Sequence, residues 1–147
     1  MASQSDENTF FLQVVSPLGT TFSGDVDEVT IPTTQGTITV LPHHTSLFTQ
    51  LDHGEVFIKQ GNKKTSLALF GGFLEVQNNK VNIISEYAVD ADSIQVARVQ
   101  EARRRAEEIM KNKKETVEFV IAKKDLQKSL LELKVSEKVK KRRGIAS

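Results

Sequence analysis

At 147 residues, with 38% hydrophobic and 27% charged residues, the chain has room for one ordinary domain, or for a small domain with a helical appendage. No run approaches the ~20 apolar residues of a membrane helix, and no basic segment leads into an apolar one at the N-terminus, so neither a membrane span nor a signal peptide is expected. The absence of cysteine excludes disulfides, thiolate nucleophiles and cysteine-bound metals together.

A net charge of +1 hides a segregation. Residues 1–92 hold 4 Lys/Arg against 11 Asp/Glu, whereas residues 93–147 hold 16 against 8. Such parts are expected to meet different partners. The acidic part reads as strands: FFLQVVS, VDEVTI, TITVL, GEVFIKQ, KTSLALF, FLEVQ and KVNIIS are short runs rich in Val, Ile, Phe and Thr. Turn signals separate them, among them Pro17-Leu18-Gly19, Gln35-Gly36, Gly61-Asn62, Gly71-Gly72 and Asn78-Asn79. In KVNIISEY, alternation puts Val81, Ile83 and Ser85 on one face. Short strands at this spacing predict a β-sandwich or barrel over roughly residues 9–88.

At residue 90 the pattern changes. From Ser93 onward there is no proline, and Gly144 is the one glycine. Asp92 followed three residues later by Gln95 predicts a capping box. Val99, Ala102, Ala106 and Ile109 recur at helical spacing. Asn112-Lys113-Lys114 reads as a turn, after which Phe119, Ala122, Leu126, Leu130 and Leu133 would line a second helix. Neither narrow stripe supports an isolated helix, so the two are expected to cover one another as an antiparallel hairpin. The fold expected is therefore β + α: a sandwich domain over 1–89, then a two-helix hairpin over 90–147, with 142–147 a frayed basic tail.

Chemistry is sparse. His43 and His44 would point to opposite faces of a strand and cannot share a metal, and His53 sits in a turn-like Asp-His-Gly. No phosphate-binding loop, catalytic triad or metal cluster is readable, so neither catalytic nor metal-binding residues are assigned and an enzyme is not expected. Arg103-Arg104-Arg105 and Lys140-Lys141-Arg142-Arg143 could neutralise phosphates, which makes a sandwich adaptor with a nucleic-acid-binding tail the alternative reading. Against it, the helices interleave glutamates, and Phe119 is their one aromatic, so no nucleic acid is expected as partner. Alanines on the first stripe are too small for a membrane-inserting face.

Several segments, taken in order, resemble the epsilon subunit of bacterial and chloroplast F-type ATP synthases. FFLQVVSPLGTTFSGDVDEVTIPTTQGTITVLPHHTSLFTQL is similar to the family's opening, LALFGGFLEVQNNKVNIISEYA to its Gly-Gly-Phe-Leu-Glu-Val strand pair, and VARVQEARRRAEE to its first C-terminal helix. The resemblance implies a ten-stranded sandwich followed by two antiparallel helices. It implies a non-catalytic subunit of the rotating central stalk, peripheral on the cytoplasmic face of the bacterial cell membrane. The sandwich would bind gamma and the c-subunit ring, and the hairpin would reach alpha and beta and inhibit ATP hydrolysis. Helices of roughly 20 and 25 residues would extend about 65–70 Å. Lys123, Lys124 and Lys128 are the expected contacts to the acidic segment that the family's hairpin meets on beta. A loop from Thr33 to Thr45 matches the region facing the c ring, with Gly36, Pro42 and His44 shaping it; His43 stands where the family usually has glycine, and Phe70 where it often has serine. The sequence departs from the family's ATP-binding string [IL]-D-x-x-R-A: Ile94-Gln95-Val96-Ala97-Arg98-Val99 keeps the arginine but lacks the aspartate and alanine. Arg98 is then a remnant, no cofactor is expected, and ATP binding is expected to be weak or absent.

Overall fold

The computed structural model describes residues 8–111 and 116–144, which divide into two compact units, one ending at Asp90 and the other starting at Ala91. The expected turn at Asn112–Lys114 lies outside the described residues, as do residues 1–7.

The first unit is a ten-stranded sheet folded over on itself: β1 (Phe10–Ser16), β2 (Gly19–Val26), β3 (Glu28–Thr33), β4 (Gly36–Val40), β5 (Leu47–Leu51), β6 (Gly54–Gln60), β7 (Lys63–Leu69), β8 (Gly72–Gln77), β9 (Lys80–Ile84) and β10 (Ala88–Asp90). Its order is β10-β7-β6-β3-β5-β8-β9-β1-β2, with β4 on β3. A single residue pair, Thr33 with Leu51, joins β3 to β5, and there the sheet turns into its second layer. All neighbours run antiparallel except β1 and β9, which pair in parallel from Phe11 and Lys80 to Val15 and Ile84. Alternate residues of nearly every strand fill the space between the layers: Phe10, Leu12 and Val14 from β1, Val29 and Ile31 from β3, Val56 and Ile58 from β6, Leu67 and Leu69 from β7, Leu74 and Val76 from β8, Val81 and Ile83 from β9. Ser85 continues the Val81–Ile83 face inward, and its hydroxyl lies 2.8 Å from the carbonyls of both Gly71 and Tyr87, which share its single proton. Gly72 has φ +122, and a Cβ there would stand 2.1 Å from the Ile84 carbonyl, so the Gly-Gly step lets β8 leave its turn hard against β9.

Three strands were not separable in the sequence. β2 carries Gly19 and Gly24 among Thr and Ser and is exposed along much of its length, so it lacks the alternation that marks a half-buried strand. β5 and β10 span only 5 and 3 residues.

The second unit holds a 3-10 turn over Ala91–Ser93, then α1 (Val96–Met110) and α2 (Val117–Arg142). The expected capping box does not form. Gln95, in extended conformation, is the residue before α1 and makes no capping bond, while Asp92 lies in the 3-10 turn. With its start displaced, α1 has 15 residues where about 20 were expected. The cap of α2 is Thr116, whose hydroxyl accepts the Phe119 N–H at 3.2 Å. Glu118 in the first turn and Lys140, Lys141 and Arg142 in the last complement the helix dipole.

The inner stripe of α2 runs Phe119, Ala122, Leu126, Ser129, Leu133 and Ser136, alternating steps of three and four residues. Expected Leu130 is instead 43% exposed, and Ser129 is buried in its place, because helical geometry selects the position and not the more apolar neighbour. On α1, Ala106 is fully buried and Val99 half-buried, while expected Ala102 and Ile109 face outward. Helix α2 continues through Arg142, so the stretch 142–147 expected to fray begins helical, and residues 145–147 lie outside the described residues.

Candidate partner-binding surfaces

The residues expected to form one loop from Thr33 to Thr45 are separated by a strand. Gly36 (φ +118) sits in the β3–β4 turn, where the Thr33 hydroxyl donates to the Gly36 carbonyl at 2.6 Å and accepts the Gln35 N–H at 3.2 Å. Pro42 and His44 lie past the far end of β4, whose five residues span about 17 Å. Gly36 therefore occupies one end of the strand, and Pro42 and His44 the other.

At that second end one asparagine joins three segments. Asn79, in the β8–β9 turn, accepts the His43 N–H on its side-chain oxygen at 2.7 Å. Its side-chain nitrogen donates to the Thr9 carbonyl at 2.9 Å, and its own carbonyl accepts the Phe11 N–H at 3.3 Å. His43 is held at φ +63, a left-handed conformation that explains why glycine suits this position. His44 Nδ1 lies 2.7 Å from the Thr45 carbonyl, and Leu41 is exposed beside them. Asn79 was legible only as a turn residue, since its reach toward residues 9 and 43 depends on the long-range pairing of β1 with β9.

A second surface lies on the outer face of β1, β9, β8 and β5. Cross-strand register sets Val15, Ile84 and Phe73 in a row, and Phe48 stacks on Phe73 with centroids 5.7 Å apart. Phe48 is 68% exposed. With Gln13, Glu75 and Asn82 these residues line a groove of about 280 Å³. Isolated exposed apolar residues mean little, but a contiguous group marks an interaction surface. Elsewhere in the same unit, the ring of exposed His53 stacks on buried Phe70 at 3.9 Å, which gives that phenylalanine a packing role.

In the helical unit, Lys124 and Lys128 stand one turn apart on α2, with Lys123 about 100° around the helix from Lys124. Val117, Val120 and Ile121 expose an apolar patch at the start of the same helix. The arginine triplet of α1 is committed elsewhere. Arg103 pairs with Glu107 at 2.8 Å, Arg104 with Glu101 at 2.7 Å and Glu108 at 3.1 Å, and Arg105 with Glu101 at 3.5 Å. The hydrogen bond from Arg104 holds the Glu101 carboxyl below its ordinary range, and Glu101 in turn raises Arg104. Guanidinium groups so engaged make a self-neutralised helix face and not a phosphate-binding one, which is the reverse of what the nucleic-acid alternative requires. Among the described residues, Arg98 reaches the Gln95 side-chain oxygen, at 3.4 Å, and no carboxylate. Among the described residues no group of His, Asp and Glu is placed to hold a metal, and no helix is long and apolar enough to cross a membrane.

Comparison with known proteins accounts for both units. The beta-sandwich domain of the ATP synthase delta/epsilon chain matches residues 9–91, and its long alpha-helix domain matches residues 92–137. The chain is 34% identical over 136 residues to the ATP synthase epsilon chain of Endomicrobium trichonymphae, covering 92% of this chain and 99% of that one. It is 35% identical over 133 residues to the epsilon chain of Caldanaerobacter subterraneus subsp. tengcongensis, covering 90% and 96%. Its fold is similar to a chain of the Euglena gracilis mitochondrial ATP synthase, with a TM-score of 0.64 at 20% identity over 97% of this chain and 85% of that one. A chain from the central stalk and c-ring of the Tetrahymena thermophila enzyme gives 0.56 at 16% identity over 91% and 99%.

Proposed function

The chain belongs to the ATP synthase delta/epsilon chain family, and from that premise we propose that it is a non-catalytic subunit of the central stalk that couples the rotor to the catalytic head and restrains ATP hydrolysis through its helical unit. The observation that carries this reading is the match of sandwich and helices, in order, to the two domains of one family across residues 9–137. In this reading the sandwich is the anchor. Its exposed Phe48–Phe73–Ile84 face offers an apolar surface to gamma, and the Pro42–His44 end, braced by Asn79, meets the c ring. The helical unit meets alpha and beta, with Lys123, Lys124 and Lys128 toward an acidic surface. Laid end to end, helices of 15 and 26 residues span about 60 Å, enough to reach well into a neighbouring assembly. The subunit is then peripheral to the membrane, on the cytoplasmic face of a bacterial cell.

ATP does not enter this proposal as a stable ligand. The carboxylate of the family's string is replaced by Gln95, whose side chain only reaches Arg98, and Val99 is half-buried where the family has alanine.

The decisive experiment is ATP hydrolysis by an alpha–beta–gamma complex with the full chain and with a truncation ending at Asp90. Inhibition by the full chain that disappears with the truncation, while gamma binding persists, is the expected result. Binding without inhibition by either form removes the regulatory half of the proposal, and failure of both forms to bind gamma removes all of it.

A further inference from the structure

The ion pairs of α1 described above lie within one helix, and Lys141 with Glu137 on α2 does the same at 3.1 Å. They persist whether or not the two helices touch. Asp92 and Arg143 are different. They stand 51 positions apart, one in the 3-10 turn that precedes α1 and the other directly after α2, and they meet in a two-point contact: Arg143 Nη1 to Asp92 Oδ1 at 2.7 Å and Nη2 to Oδ2 at 3.2 Å. In an antiparallel hairpin these are the two ends far from the connecting segment. The hairpin is thus closed covalently at one end and by this ion pair at the other.

Between the two closures the fully buried residues are few and small: Ala106 from α1, and Ala122, Ser129, Val135, Ser136 and Val139 from α2, while the larger Phe119, Leu126 and Leu133 of the inner stripe are only half-buried. Small side chains bury little apolar area, so the attached state of α2 has little hydrophobic reserve. Near balance, a two- to fivefold contribution moves the attached fraction from about one half to about two thirds or five sixths. Arg143 also lies six residues past the stretch matched by the family's helical domain, so the clasp draws on a part of the chain outside that shared region.

We propose that the Asp92–Arg143 pair is a clasp that sets how often α2 detaches from α1, and that ionic strength works it. Side chains 62% and 48% exposed leave the pair open to screening by salt. The inference deepens the regulatory reading above and rests on it for its consequence in the ATP synthase, though not for the clasp itself.

The test is amide hydrogen exchange of the full chain along α2, comparing the natural protein with Asp92→Asn, Arg143→Gln and the charge-swapped double variant Asp92→Arg/Arg143→Asp. At about 0.01 M salt, where the screening length is about 30 Å, each single variant is expected to speed exchange in the last turns of α2 by about two- to fivefold, and the swap to recover slow exchange. At about 1 M salt, where that length is about 3 Å, the gap is expected to close. Equal exchange in all four proteins, a gap that survives high salt, or a swap that recovers nothing would overturn the clasp. The same variants added to the alpha–beta–gamma complex separate the two claims. Faster exchange with unchanged hydrolysis supports the clasp and overturns the regulatory reading.

Discussion

His43 carries a conformation that its side chain does not favour. At φ +63 an L-residue is strained by about 1–2 kcal/mol, while glycine gives back about 0.5–1 kcal/mol through the freedom of its unfolded chain. His43→Gly is therefore expected to stabilise the sandwich by about 0.5–1 kcal/mol, seen as a higher midpoint in urea with an unchanged slope. Gly72 is the opposite case, for its missing Cβ would meet backbone and not a side chain that can turn away. Gly72→Ala is expected to cost about 3 kcal/mol or more, while Gly61→Ala, strained by φ +57 but with open space around it, costs about 1–2 kcal/mol; denaturation midpoints of the two separate contact from strain. At Arg98, substitution by glutamine is expected to leave ATP affinity unaltered, because the natural chain already lacks the carboxylate. Millimolar or tighter binding by the natural chain in calorimetry, lost on Arg98→Gln, would show that the remnant still works.

Among the elements, those with strong alternation were readable and those defined by partners were not. β1 and β6 have the bounds their sequences suggested, since Phe10-x-Leu12-x-Val14 and Val56-x-Ile58 carry the inward face plainly. β2, β5 and β10 become strands through neighbours that local sequence does not show. In the helices the heptad-like stripe was legible, but Ser129 was hidden behind a more apolar Leu130. Thr116 was hidden too, since the residue three places on is Phe119 and not the glutamate of a capping box. Thr116→Ala is expected to remove about 1 kcal/mol from the start of α2, measured as faster amide exchange at Phe119 and Val120. Acidity acts at the other end of the unit. The hydrogen bond from Arg143 holds the Asp92 carboxyl below its ordinary range, so its contribution is present above the unfolded pKa and lost as pH falls through the lowered folded one.

At the scale of the whole molecule, the change of pattern at residue 90 was legible because a sandwich needs glycine turns and a hairpin excludes them; seven of the eight glycines precede it. The candidate surfaces were less so. Segment order identified the family, and Lys123, Lys124 and Lys128 do stand on one helix, but the expected loop of Gly36, Pro42 and His44 is divided by β4. Proximity along the chain is not proximity in space here, because a strand between two turns carries them apart. If the lysines meet an acidic surface, Lys123→Glu/Lys124→Glu/Lys128→Glu is expected to raise hydrolysis by the reconstituted complex severalfold while leaving gamma binding intact. Each exposed pair contributes about 0–1 kcal/mol, so three together shift a balanced equilibrium by about tenfold.

The parallel pairing of β1 with β9 has a further consequence, for the order in which the protein is made. Thr9 and Asn79 are 70 positions apart, so the first strand leaves the ribosome long before its inner neighbour exists. At about 5–20 residues per second, that wait lasts several seconds. Meanwhile β1 has only β2 beside it, with Phe10, Leu12 and Val14 uncovered and one edge open. The helical hairpin, by contrast, is built from local contacts and forms quickly once its last turn is free. The nascent anchor is therefore the vulnerable half, and the interval before β9 emerges is when a chaperone would have most to shield.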